Sequence, residues 1–171
     1  WLLSERGDAS DLFDAKIAGF SVPLDDPEAK LVFNGAHPDY LAIAPVLDDN
    51  RSGQIKIDQI RELLPFMMHK PARGGWRVTI IDSMDDVNPS GANALLKLLE
   101  EPPEQAILFL IASHTGHLPP TIRSRCRLVR MTSLAPGVCM SALKRIWPDK
   151  DINQLEILGK LSGGAPGQAI Q

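Results

Sequence analysis

Apolar positions along this chain fall into two patterns, short unbroken runs and stripes at helical spacing. The unbroken runs are Tyr40-Leu41-Ala42-Ile43-Ala44, Arg77-Val78-Thr79-Ile80-Ile81 and the segment from Ala106 to Ala112. Runs that lack polar alternation predict central strands covered on both faces, which belong to a parallel sheet flanked by helices. Between Trp76 and Met131 the pattern reads strand, loop, helix, strand, loop, strand.

The helical stripes fill the gaps. Leu12, Phe13, Ala15, Ile17 and Phe20 share one face, with Gly19 and Pro23 marking its end. Pro27 through Asn34 predicts a short helix stopped by Gly35. His37-Pro38-Asp39 is a turn into the first apolar run, and Asp48 to Gly53 is a polar loop. Asp58 is placed to cap a helix carrying Ile60, Leu63, Leu64 and Met67, with Pro65 expected to kink it or shift its start. Pro71, Gly74 and Gly75 break the chain again before the second run.

The next helix has the fullest set of signals. Asn88 caps it, Pro89 opens it, and Ala92, Leu95, Leu96 and Leu99 form a stripe for the sheet. Each Leu so buried contributes ~1.5–3 kcal/mol. Asn93, Lys97, Glu100 and Glu101 take the other side, which by itself reads as a solvated face, and Pro102-Pro103 ends the helix. Beyond Pro136 come two amphipathic helices, over 137–146 and 151–161, and a Gly163–Gly167 turn. The expected organisation is therefore an α/β core over 1–132 and a small all-helical domain over 133–171.

Composition narrows the function classes. With 44% hydrophobic and 23% charged residues, the 171-residue chain reads as an ordinary soluble globular protein. A net charge of −3 supplies no general attraction to nucleic acid, so any DNA contact must be local or made by partners. Two cysteines, Cys126 and Cys139, cannot make a disulfide framework or a four-thiolate zinc site; they could form a single disulfide, but a reduced, cytoplasmic pair is expected. No apolar run is long enough for a membrane span and no signal pattern opens the chain, so no membrane partner is expected. A chain that begins at Trp1 is expected to be a piece of a longer protein.

Two motifs carry chemistry. One is Asn93-Ala94-Leu95-Leu96-Lys97-Leu98-Leu99-Glu100-Glu101-Pro102-Pro103, and the other is Leu118-Pro119-Pro120-Thr121-Ile122-Arg123 leading into Ser124-Arg125-Cys126. With the strand ending at Asp82 before the first of them, this order resembles the clamp-loader branch of the AAA+ ATPases, in the form found with bacterial DNA polymerase III. The match is densest over 73–131. It implies a P-loop NTPase-like AAA+ core with its N-terminal strand and phosphate loop missing, followed by a helical lid without the collar domain.

The resemblance also assigns roles. Arg125 is the finger that reaches ATP held with magnesium by a neighbouring subunit, where a guanidinium suits phosphate oxygens. Ser124 orients the turn, Cys126 packs as a small hydrophobe, and Thr121 and Ile122 form the short helix that aims the arginine. Hydrolysing members carry Asp-Glu at the end of the central strand, the glutamate polarising the attacking water. Here the pair is Asp82-Ser83, and a serine is a poor base. Ser113 stands where the family has a polar nucleotide sensor, and no arginine occurs in Gly163–Gln168, where active members place a second γ-phosphate contact.

No Gly-x-x-x-x-Gly-Lys-Ser/Thr loop is present, and the family would place it upstream of Trp1. The site at Asp82, Ser83 and Ser113 is therefore read as degenerate, with no cofactor bound by this chain. Partners implied are γ/τ- and δ-type subunits, the sliding clamp and primed DNA. Two alternatives stay open: an ATP-hydrolysing γ/τ-type subunit, and a DNA-binding module built on the Arg123–Arg130 cluster. No metal is expected. Ser21 to Ala36 has no cysteine for the zinc module many family members carry, and His114 and His117 have no evident third ligand in the sequence.

Overall fold

A computed structural model describes residues 25–47, 53–114 and 116–169. The helix expected over 12–20 and most of the polar loop after Leu47 lie outside these residues. The chain divides between Arg127 and Leu128 into two compact units.

The first unit is an α/β layer. Helix α1 (Pro27–Phe33) starts at Asp26, whose carboxylate accepts the Glu28 and Ala29 amides, and it ends before Gly35 at φ 65°. Strand β1 (Tyr40–Ile43) follows, then β2 (Val46–Leu47) and β3 (Gly53–Gln54), which form a small antiparallel pair. Helix α2 (Ile57–Met68) leads to β4 (Arg77–Asp82), and helix α3 (Pro89–Glu100) leads to β5 (Ala106–Ile111). The sheet order is β1-β4-β5, all parallel, with Tyr40 opposite Val78 and Arg77 opposite Ala106. Each parallel pair is thus joined by a helical crossover, as parallel strands require.

Burial follows from that order. Val78, Thr79 and Ile81 of the middle strand β4 are buried; Ile81 meets Ile60, Leu63 and Met67 of α2 and Leu95 and Leu98 of α3 in one core, and the Thr79 hydroxyl donates to Met67 Sδ at 3.1 Å. Asn88 Oδ1 accepts the Gly91 amide at 2.8 Å, so the cap that opens α3 is formed as expected.

Four expectations need correction. Strand β5 is half-buried along most of its length rather than covered, because among the described residues it has a strand neighbour on one side only. Residues 127–135 form no strand, and Leu128, Val129 and Met131 are exposed at 51%, 60% and 91%. An apolar run becomes a strand only when a neighbour takes its amides and carbonyls. Asp58 does not cap α2; it sits in the first turn and pairs with Arg61, while Gln59 accepts the Lys56 amide. On α3 the fully buried face is Gly91, Ala92, Leu95 and Leu98, with Leu96 and Leu99 half-buried at its margins. Pro65 lies inside α2 without ending it.

The second unit pairs α5 (Pro136–Ile146) with α6 (Ile152–Leu161), after the short helix α4 (Pro120–Arg123) closes the first unit. Cys139, Leu143 and Leu155 are its buried centre. Gly164 takes φ 82° and its carbonyl accepts the Leu134 amide at 2.8 Å; a Cβ there would stand 2.6 Å from the Leu134 carbonyl oxygen.

Candidate functional site

The chemistry-bearing residues form two groups in the first unit, and a separate ionic frame, buried at Asp39 and Arg77, ties its elements together. Asp39, 1% exposed, accepts the Ala72 and Arg73 amides and a hydrogen bond from Arg77 Nη2 at 2.9 Å. Arg77 further donates to the Phe66 and Lys70 carbonyls and lies over the Phe66 ring. His37 accepts the Asp39 amide at Nδ1 and places Nε2 2.8 Å from Glu28. Glu28 also takes two hydrogen bonds from Arg73, and these, with His37 next, hold its carboxyl below the usual glutamate range against the opposing effect of burial. The frame ties α1 and the loop after α2 to the start of β1 and β4. Sequence reading took His37-Pro38-Asp39 only as a turn, since charges that meet across 33 to 45 residues leave no local pattern.

The first group lies at the C-terminal ends of β4 and β5, where Asp82 pairs in register with Ile111. Ser83 caps a short 3-10 turn, Met84–Asp86, by accepting the Asp85 amide, and its hydroxyl donates to Asp85 Oδ2 at 2.9 Å. The Ser113 amide donates to the same oxygen at 2.6 Å. Asp82 is exposed, and Ser83 is occupied with Asp85. The Ser113 amide, the Ser83 hydroxyl and the His114 amide and charge lower the Asp85 pKa, outweighing the opposing effect of burial. Asp85 is thus the bridge between the two strand ends, a role the sequence did not reveal.

The second group follows α4. Ile122 is buried beneath the helix, and Ser124 donates to the Thr121 carbonyl, so the chain turns tightly. Arg125 Nη1 donates to the same carbonyl at 2.9 Å, and Nη2 meets Glu100 Oε1 at 2.8 Å. The pair is open to solvent, with side-chain exposures of 35% for Arg125 and 51% for Glu100. Cys126 packs against the core, and burial raises its thiol pKa. Both cysteines are free. Among the described residues, Arg125 makes no hydrogen bond to Asp82, Ser83 or Ser113. Glu100 was read as part of a solvated face; the one available signal was its place at the end of the Leu-Leu-Glu-Glu-Pro-Pro motif.

A family profile described as DNA polymerase III, delta subunit, matches residues 17–135. The chain belongs to that family. The delta-family relatives include the DNA polymerase III subunit delta′ of Pseudomonas aeruginosa, 38% identical over 139 residues, covering 80% of this chain and 41% of the relative. The delta′ subunit of Escherichia coli is 34% identical over 143 residues, covering 82% of this chain and again 41% of the relative. The chain therefore spans about two-fifths of the length of these relatives. Among solved structures, a DNA polymerase III gamma subunit-related protein from Thermotoga maritima aligns with TM-score 0.54 and 28% identity over 74% of this chain and 42% of that one. The mixed α/β layer with its parallel sheet is thus a fold shared with this gamma subunit-related neighbour.

Proposed function

We propose that this chain is part of a non-hydrolysing delta′-type subunit of the DNA polymerase III clamp loader, and that it lends Arg125 to ATP bound by an adjoining subunit. The observation that carries the reading is the state of Arg125. Its guanidinium stands exposed at the turn after α4, donating to the Thr121 carbonyl and paired with the exposed Glu100 carboxylate. Such a surface pair contributes ~0–1 kcal/mol, so exchanging Glu100 for phosphate oxygens costs little. An arginine finger in place is worth ~10³–10⁵ in turnover.

The chain's own strand end supports the non-hydrolysing part of the reading. Ser83 stands where a hydrolysing subunit needs a glutamate, and its hydroxyl is committed to Asp85. In this reading residues 1–132 are the partial AAA+ core and 133–171 the helical lid. No cofactor is held at Asp82, Ser83 and Ser113, and ATP with magnesium belongs to the neighbour. The partners are γ/τ- and δ-type subunits in the cytoplasm, with the sliding clamp and primed DNA engaged through the assembly.

The similarity to a gamma subunit-related structure favours one second reading, a hydrolysing γ/τ-type subunit. Steady-state ATP turnover by the protein alone, at the full length of its relatives, separates the two. The proposal expects none above a buffer control, and measurable solo turnover that vanishes on Asp82→Asn would establish the second reading instead.

A further inference from the structure

His114 and His117 lack a third ligand in sequence, and the fold brings one to them. Asp85, from the turn after β4, joins the two histidines so that one ligand atom from each lies within 4.8 Å of the others. From this juxtaposition we infer a binding site for a divalent transition ion of the zinc class, formed by Asp85, His114 and His117.

The arrangement has the parts such a site needs. The His117 amide donates to the His114 carbonyl at 3.0 Å, and the two rings stand 5.2 Å apart between centroids, tilted by 30°. Asp85 has a division of labour between its oxygens. Oδ2 is fixed by the Ser113 amide and the Ser83 hydroxyl, while Oδ1 faces His117 Nδ1 at 3.9 Å. Hydrogen bonds that orient a ligating carboxylate are the usual support of a metal ligand. The strand ends beneath are held by the parallel register of β4 and β5, so both turns start from a fixed base.

The donor set decides the class of ion. Two imidazoles and one carboxylate suit zinc, cobalt, nickel or copper, whereas magnesium and calcium take oxygen ligands. Ligand bonds of ~2.0–2.2 Å around a tetrahedral ion require the donors to close to roughly 3.4 Å from one another. The His117 side chain is 73% exposed and has room to rotate toward that spacing. Three protein ligands leave a fourth position open to water or to a donor from another chain. The bound ion would staple the turn after β4 to the turn after β5. This inference stands apart from any role of Arg125.

The test is a titration of the whole chain with zinc chloride by calorimetry, repeated with cobalt chloride while following its visible absorption. The expected result is one equivalent bound, weakened at least ~10-fold by His114→Ala and by His117→Ala, and unchanged by His69→Ala at an exposed histidine elsewhere. Zinc should also raise the melting temperature of the parent chain and not that of His117→Ala. Circular dichroism of each variant separates loss of ligand from loss of fold. Absence of binding in the folded parent chain, or binding that His117→Ala leaves intact, would overturn the assignment.

Discussion

Two arginine–carboxylate pairs with the same 2.8–2.9 Å spacing do different jobs here, and exposure decides which. Arg77 and Asp39 are 8% and 1% exposed, so removing one partner strands a charge in the interior. Asp39→Ala should cost ~3–5 kcal/mol, read as a lower urea midpoint. Glu100→Gln, at a pair open to water, should change stability by less than ~1 kcal/mol in the same measurement. Glu28 adds a pH signature. Its carboxyl ionises more readily folded than unfolded, because of Arg73 first and His37 next. The resulting stability is present above the unfolded glutamate value of about 4.3 and drains away as pH falls through the lower folded value. Arg73→Ala should flatten that acid limb in urea midpoints taken between neutral pH and the acid range; an unchanged limb would contradict the assignment. At this scale the sequence spoke only where residues are neighbours. Ser124-Arg125-Cys126 could be read directly, but the partners Glu100, Asp85 and Asp39 could not, since each meets its cation or amide across 25 residues or more.

Among the elements, α3 shows what local agreement achieves. Its cap at Asn88, its opening proline and its apolar stripe all predict one helix, and Pro89–Glu100 is that helix. The stripe misjudged only the margin, because the helix rotates to bury Leu98 and leaves Leu96 and Leu99 at the edges. Leu95 is at the centre of the contact with the sheet and fully buried, so Leu95→Ala should destabilise by ~2–5 kcal/mol in urea unfolding. The strand expected before Met131 failed for the complementary reason. Leu128 and Val129 have the composition of a strand, but strand formation needs a neighbour, which a one-dimensional pattern cannot supply. The half-buried β5 carries the same lesson from the other side.

At the scale of the whole molecule, the α/β layer and the helical pair form separate units, divided after Arg127, just past the Ser124-Arg125-Cys126 turn. A parallel sheet flanked by helices was legible from unbroken apolar runs separated by helical stripes, whereas the β1-β4-β5 order came only with the fold. Membership of the DNA polymerase III delta-subunit family was legible from the two motifs, whose residues lie within the matched segment 17–135. What the motifs left open is whether the exposed guanidinium acts on a neighbour. The direct measurement is ATP turnover by a reconstituted clamp loader containing Arg125→Ala in the subunit at the full length of its relatives, with assembly checked by sedimentation. The account predicts an intact assembly in which turnover at the adjoining site falls by at least ~10³-fold. Unchanged turnover in an intact assembly would contradict it.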